Sequence, residues 1–153
     1  MIRAWRLSRA KYKRTAMSGE GGLYVEGRWH SRGVRIVYAS SSLALATLEV
    51  FVNLKYKSAL SSFVQVEIGF AEHLCEPISA ELYDKFKNDP DHKAIRTYGD
   101  HWLSSQRSCI LAVPSRVIRG EDNYLINPLH PDFSKVSWDV SDYTVDPRLL
   151  GDD

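Results

Sequence analysis

The sequence has few cysteines, and they do not fall in a pairing or metal-binding pattern. Its 153 residues contain two, Cys75 and Cys109, and no C-x-x-C motif. A disulfide framework needs a larger set of cysteines, and a zinc site needs clustered cysteine or histidine ligands. The five histidines are scattered and form no H-E-x-x-H motif. We therefore expect no metal site and a reducing, cytoplasmic location.

Long apolar runs and an excess of one charge are also missing. The longest apolar stretch, Leu43 to Leu54, is interrupted by Thr47, Glu49 and Asn53, so it is too short and too polar to span a bilayer. The basic N-terminus lacks the apolar segment of a secretory signal. A net charge of +1 does not indicate a dedicated nucleic-acid or membrane binder.

Two common catalytic motifs are absent as well. The glycines between Ser18 and Gly22 match neither G-x-G-x-x-G nor a P-loop, so they do not predict a phosphate cradle. Ser115 follows Pro114 without the G-x-S-x-G elbow, which argues against a hydrolase nucleophile.

The hydrophobic patterns along the chain predict one strand-rich α+β domain over residues 1–153. Phe63–Ile68 alternates apolar and polar residues, which is typical of a strand. Val34–Tyr38 is rich in β-branched residues, and Leu23–Trp29 is expected to be extended. The serines at 40–42 offer N-caps for a helix over Leu43–Leu54. That helix is apolar nearly all round, so we expect it to be buried.

Three polar residues interrupt these apolar surroundings, and burying a charge is costly unless it is paired or used. Glu49 lies within the apolar helix, as a pocket carboxylate or as an acid paired with a nearby base. Arg28, beside Trp29, either binds phosphate or carboxylate or stacks on the indole at the surface. Ser115 suits a hydrogen-bonding role at the mouth of a cleft, and Tyr38 ends a strand that leads towards the helix.

Taken together, these segments resemble the RES-domain family, which is named after an arginine, a glutamate and a serine. The resemblance extends over nearly the whole chain, and its motifs keep their order and spacing. They are Trp5–Leu7, Gly27–Trp29, Val37–Ser40, Ser42–Val50, Gly99–Asp100 with Trp102–Leu103, Val113–Ser115, Asn123–Pro128 and His130–Phe133. One residue departs from the family pattern, because His30 stands where asparagine is frequent.

The resemblance implies a fold like that of ADP-ribosyltransferase toxins, an α+β body around a central cleft. It also implies a toxin that cleaves the nicotinamide–ribose bond of NAD, with water or inorganic phosphate as acceptor, and so arrests growth. Such an NAD glycohydrolase or phosphorylase consumes NAD as substrate and needs no cofactor. Two alternatives stay open: an ADP-ribosyltransferase that modifies a protein, and a non-catalytic regulatory binding domain.

The resemblance further implies roles for individual residues and a partner. Arg28, Tyr38, Glu49 and Ser115 would form the catalytic group. The side chains that would bind NAD are Arg28, Trp29, Tyr38, Ser115 and Asn123. Glu49 would oppose the positive charge on the ribose, and Arg28 would hold the pyrophosphate or an attacking phosphate. The partner would be a cognate Xre-like helix-turn-helix antitoxin, and the apolar content also permits a homodimer.

Overall fold

A seven-stranded, mostly antiparallel sheet organises residues 1–151, the part of the chain that this computed structural model describes. Its strands are β1 (Ile2–Arg9), β2 (Val37–Ser40), β3 (Phe63–Phe70), β4 (Cys75–Pro77), β5 (Ile110–Pro114), β6 (Asp122–Ile126) and β7 (Ser137–Asp142). The spatial order is β4-β5-β6-β2-β1-β3-β7, and only β4 and β5 of this described sheet pair in parallel. Residues 152 and 153, which end the expected domain, lie outside the described residues.

Helices occupy several of the connections between strands. They are α1 (Gly21–Tyr24), α2 (Leu43–Phe51), α3 (Ala80–Phe86) and α4 (Lys93–Ser105). Short 3₁₀ segments cover Ala10–Thr15, Lys57–Ser62, Glu72–Leu74, Pro131–Lys135 and Pro147–Leu149. This mixture confirms the predicted α+β class. Within residues 1–151, none of the helices has the length and apolar character that a membrane crossing requires.

Helix α2 begins where its capping serine predicts. The Ser42 hydroxyl accepts a hydrogen bond from the Leu45 backbone N–H at 3.0 Å, which satisfies one of the free donors of the first turn. The predicted burial on all sides is wrong, because Leu45 to Thr47 are buried whereas Ala44 is exposed and Glu49 is half-buried. The helix also ends at Phe51 rather than Leu54, and it lies across the sheet with one side towards solvent.

The segment from Leu23 to Trp29 is not an extended strand, contrary to the sequence-based expectation. It continues the short helix α1 and then an irregular loop. A Cβ atom on Gly22 would lie 2.0 Å from the Val34 carbonyl oxygen, so the chain packs here through a close backbone approach that only glycine allows. The strand predicted at Val34–Tyr38 begins later, at Val37.

The two faces of the sheet pack differently, because successive strand residues point to opposite sides. One face carries a core that includes Ala4, Val37, Ile68, Ile110 and Ile126. The other face carries two separate clusters. The α2 cluster joins helix α2 to β1 and β3 and comprises Leu7, Ala46, Leu60, Phe63 and Tyr143. The α4 cluster joins helix α4 to β5 and β6 and includes Ile95, Trp102, Leu103, Leu111 and Leu125.

Candidate functional site

A cavity of about 930 Å³ opens between the α2 cluster and the α4 cluster. Its floor is a row of residues that face one another across four neighbouring strands: Trp5, Ser40, Asn123 and Val113. Antiparallel pairing places directly opposed residues on the same face of a sheet, so this row is a consequence of the strand register. Tyr38 lies two residues before Ser40 on β2 and therefore points into the same space.

Glu49 reaches this cavity from helix α2 and is held by two hydrogen bonds. Its Oε1 atom accepts from the Ser115 hydroxyl and from the Asn123 side-chain amide, each at 2.7 Å. The Ser40 hydroxyl donates to Asn123 Oδ1 at 2.7 Å, which fixes the amide with its N–H₂ group towards the carboxylate. Both hydrogen bonds that the carboxylate accepts within residues 1–151 use Oε1, which leaves the second oxygen, Oε2. The carboxylate is therefore oriented and still has an oxygen available for a ligand.

Ser115 reaches the site through Glu49 and does not line the cavity itself. The side chain is 5% exposed, and its oxygen accepts from the backbone N–H groups of Val117 and Ile118 at 3.1 and 3.0 Å. The hydroxyl donates its own proton to Glu49 Oε1. The hydroxyl therefore ties the turn after β5 to helix α2, and the structure places it as a support for the carboxylate.

Arg28 enters the same cavity from the opposite cluster. Its Nη2 atom donates to the Tyr83 hydroxyl at 3.2 Å, and its Cζ atom lies 5.8 and 5.7 Å from the ring centres of Trp29 and Tyr83. Trp29 is 3% exposed and stacks on Tyr83, so the two rings form a rigid wall. The contact with the indole that the sequence indicated is present, and it occurs inside the cavity wall.

Among residues 1–151, no carboxylate forms an ion pair with Arg28 within 4.0 Å, and its buried Nε atom has no hydrogen-bond partner. The sequence left open a pairing of Glu49 with a nearby base, and in the described chain Arg28 is not that base. An uncompensated guanidinium next to open volume is suited to binding an anion.

Tyr38 is fixed by His30, which follows Trp29 in the chain. The Tyr38 hydroxyl lies 2.6 Å from His30 Nδ1, and His30 Nε2 lies 2.9 Å from the Val25 carbonyl oxygen. His30 is 4% exposed and lies behind the cavity wall. Burial raises the pKa of Tyr38 well above its usual range, although a backbone hydrogen bond from Trp29 opposes the shift. Tyr38 is therefore a neutral phenol in the site.

Besides Arg6, whose guanidinium is held by the backbone carbonyl groups of Ala16 and Tyr38, two basic residues that line the cavity were not predicted from the sequence. His92, just before α4, and Arg116, just after β5, both line it, and Arg116 Nη1 lies 3.3 Å from His92 Nε2. They are 24 positions apart, and neither belongs to a recognisable motif, so only the fold brings them together. In the described part of the chain, no three His, Cys, Asp or Glu side chains converge to form a metal site.

All but one of the predicted site residues line one cavity: Arg28, Trp29, Tyr38, Glu49 and Asn123. Ser115 is one hydrogen bond behind Glu49. The chemistry that this arrangement permits is specific: a fixed carboxylate faces the cavity from one side and an unpaired guanidinium from the other. Such a site can bind an anion at one end and stabilise positive charge at the other.

Comparisons with known proteins agree with this architecture. The chain is 34% identical over 155 residues to a protein of Sphingobium sp. named Prs ADP-ribosylating toxin, with 95% of each chain covered. It is 32% identical over 149 residues to a protein of Photorhabdus laumondii named Toxin Res, with 95% of this chain and 96% of that one covered.

A solved structure has the same fold. The crystal structure of the M. tuberculosis MbcT–MbcA toxin–antitoxin complex matches with a TM-score of 0.69 at 16% sequence identity, covering 93% of this chain and 84% of that one. The family model of the RES domain matches residues 3–146. The chain therefore belongs to the RES domain family.

Proposed function

We propose that this protein is the toxin of a toxin–antitoxin system and that it cleaves the nicotinamide–ribose bond of NAD. The observation that carries the proposal is the shared cavity, in which Glu49 and Arg28 face the same volume without neutralising each other. A dinucleotide offers a matching pattern of charge, since its pyrophosphate is anionic and its nicotinamide ribose becomes cationic on cleavage. NAD is the substrate in this scheme, and no separate cofactor is required.

Glu49 has the chemistry needed at the reacting sugar. As the bond from the anomeric carbon to the nicotinamide nitrogen breaks, its electron pair moves to the nitrogen and leaves an oxocarbenium-like ribose. The free Oε2 of Glu49 opposes that charge or accepts from a ribose hydroxyl. Because the charge exists only in the transition state, a carboxylate already oriented by Ser115 and Asn123 lowers the barrier more than it strengthens ground-state binding.

Arg28 can bind the anionic part of the dinucleotide, on the side of the cavity opposite Glu49. Its guanidinium carries donors beyond the one used on Tyr83, so it can bind two oxygens of a phosphate group. Nicotinamide leaves as a neutral molecule from a cationic pyridinium, and for this reason the reaction needs no strong general acid. Water or inorganic phosphate then forms the new bond to the anomeric carbon, giving ADP-ribose or its 1″-phosphate and releasing a proton when water is the acceptor.

The antitoxin belongs to this proposal because of the proteins to which the chain is similar. Two relatives carry the name of a toxin, and the structural neighbour was solved in complex with an antitoxin. We infer that a cognate antitoxin, of the Xre-like helix-turn-helix type, restrains this protein in its own cell. Loss of NAD would arrest growth when the antitoxin is absent.

The name of one relative suggests a different acceptor for the ADP-ribose group. The Sphingobium protein is named as an ADP-ribosylating toxin, and its similarity spans 95% of this chain. In that case the same bond of NAD is broken, but a protein side chain takes the ADP-ribose. The cavity chemistry at Glu49 and Arg28 is identical, and the two functions differ only in the nucleophile.

Product analysis distinguishes these functions. Purified protein is incubated with adenine-labelled NAD in buffer, in buffer with inorganic phosphate, and in buffer with an extract of cell proteins. We expect nicotinamide release, with ADP-ribose or its 1″-phosphate as the second product. Label transferred to a protein supports the second function instead, and unchanged NAD under all three conditions contradicts both.

A matched pair of variants connects the activity to the site. Arg28→Gln removes the unpaired guanidinium and should greatly reduce NAD cleavage, mainly by raising KM. Arg119→Gln removes an exposed arginine outside the cavity and should leave the rate unchanged. Equal activity in the two variants would show that the reaction does not use Arg28.

A further inference from the structure

The hydrogen bonds around His30 determine which of its ring nitrogens carries the proton. His30 Nε2 lies 2.9 Å from the Val25 carbonyl oxygen, and a carbonyl oxygen only accepts hydrogen bonds. Nε2 must therefore be protonated. In a neutral imidazole the other nitrogen, Nδ1, then has a lone pair and no proton.

This tautomer also determines the direction of the Tyr38 hydroxyl. Nδ1 lies 2.6 Å from Tyr38 Oη, so the phenol is the donor in that hydrogen bond. A phenol has one proton, and here it is used on His30. One of its lone pairs accepts the backbone hydrogen bond from Trp29, so Tyr38 Oη has only a lone pair left for a ligand, and it stays protonated because burial raises its pKa.

The surrounding chain holds the two rings in this arrangement. A Cβ atom on Gly27 would lie 2.6 Å from His30 Cε1 and 2.8 Å from Tyr38 Oη, so the pair occupies the space that a side chain at position 27 would need. The Gly27 backbone N–H donates to the His30 carbonyl oxygen at 3.0 Å. The loop is thus closed tightly around the imidazole, which leaves it no room to turn over.

We propose that His30 is a positioning residue that makes Tyr38 an obligatory hydrogen-bond acceptor for the substrate. The substrate group at Tyr38 must then be a donor, such as a ribose hydroxyl or the carboxamide N–H₂ of nicotinamide. This inference rests on the proposed NAD cleavage for the identity of the substrate, whereas the direction of the hydroxyl follows from the protein alone.

Several charged groups face this pair from neighbouring elements. Arg6 of β1 donates to the Tyr38 carbonyl oxygen, and Arg96 of α4 donates to the Gly27 carbonyl oxygen and pairs with Glu26. Asp100 of α4 accepts from the backbone N–H and hydroxyl of Ser31, the residue after His30. These groups hydrogen-bond the backbone around the pair and so hold the loop in place.

The first test reads the tautomer directly. Long-range ¹H–¹⁵N correlation spectra of the ¹⁵N-labelled protein near neutral pH, assigned with His30→Asn, report the protonation of each ring nitrogen. We expect the His30 signals of a protonated Nε2 and an unprotonated Nδ1. A protonated Nδ1 in the neutral ring would overturn the proposal. This measurement does not depend on any activity, so it stays decisive even if the protein fails to cleave NAD.

The second test compares two replacements of His30 at one pH. In His30→Asn the amide oxygen can still accept from Tyr38, whereas His30→Leu offers no acceptor and the phenol must turn its proton elsewhere. Both variants lose the imidazole, but kcat/KM for NAD should fall further in His30→Leu than in His30→Asn. Equal kcat/KM in the two variants would overturn the assignment.

The third test identifies the donor on the substrate. Tyr38→Phe removes the acceptor and should lower kcat/KM for NAD about threefold to tenfold, the value of one neutral hydrogen bond. With 3-acetylpyridine adenine dinucleotide, which lacks the carboxamide N–H₂, the same variant has no effect if the carboxamide is the donor. An equal loss with both dinucleotides assigns a ribose hydroxyl. No loss with either one would contradict an acceptor role for Tyr38.

Discussion

At the scale of single residues, Glu49 is the side chain whose environment most directly predicts a function. Its Oε1 accepts from Ser115 and Asn123, and a glutamine at this position can accept the same two bonds. Glu49→Gln should therefore keep the free energy of unfolding within about 1 kcal/mol of wild type. It should lower the rate of NAD cleavage about 10²- to 10³-fold, the effect of removing one positioned electrostatic group. Initial rates and denaturant unfolding measure the two quantities.

The control for that prediction is another glutamate. Glu72→Gln changes an exposed acid in a 3₁₀ turn remote from the cavity lining and should alter neither quantity. If Glu49 is only a structural acid, its replacement should cost stability, and activity should fall in step with the folded fraction. A loss of rate at unchanged stability excludes that alternative.

At the scale of elements, the contact between helix α4 and the loop that carries Arg28 fixes the α4 side of the cavity wall. A Cβ atom on Gly99 would lie 1.7 Å from the Trp29 carbonyl oxygen, a backbone atom that cannot rotate away. Gly99→Ala should force α4 off the loop and destabilise the protein by about 3 kcal/mol, at the upper end for overpacking. Urea unfolding of the variant measures this loss.

A second glycine provides the comparison for Gly99. Gly21 lies at the start of α1, and a Cβ atom there would meet nothing within 4 Å. Gly21→Ala should leave stability unchanged or raise it slightly, since alanine favours helices. Equal effects at the two glycines would show that the close approach of α4 to Trp29 does not determine the cost.

Elements whose sequence pattern is local were the ones that could be predicted. The alternation of Phe63–Ile68 identified β3, because one face of that strand is buried and the other is not. Ser42 marked the start of α2, because capping involves neighbours a few residues apart. The stretch Leu23–Trp29 was misjudged, because its backbone is set by a contact between Gly22 and Val34 that no local pattern records.

The candidate site could be predicted only residue by residue, with help from the family resemblance. Arg28 and Glu49 stood out as charges in apolar surroundings. That Ser115 supports Glu49 from behind the cavity depends on a hydrogen bond across 66 positions, and His92 and Arg116 meet across 24. The order of the strands in the sheet brings these distant residues together, and that order cannot be read from their spacing along the chain.

At the scale of the whole molecule, the site lies between two separately packed clusters on one face of a shared sheet. Glu49 lies on helix α2, whose Ala46 packs in the α2 cluster, whereas Arg28 contacts Trp29 and Tyr83 of the α4 cluster. The hydrogen bonds of Glu49 to Ser115 and Asn123 already join helix α2 to strands β5 and β6. A ligand that contacts both Glu49 and Arg28 adds a further link, so local opening of either side becomes less favourable.

Hydrogen exchange on the Glu49→Gln variant, which should bind NAD with little turnover, tests this link. Saturation with NAD at 100 times its Kd should slow exchange in both α2 and α4. For amides that exchange through unfolding, the free energy of exchange should rise by up to about 2.7 kcal/mol. Fraying amides of the edge strand β7, which contributes nothing to the cavity lining, should exchange as before. Because linkage requires simultaneous contact, protection confined to one helix would mean that NAD binds on one side only, and the joint role of Glu49 and Arg28 would then be wrong.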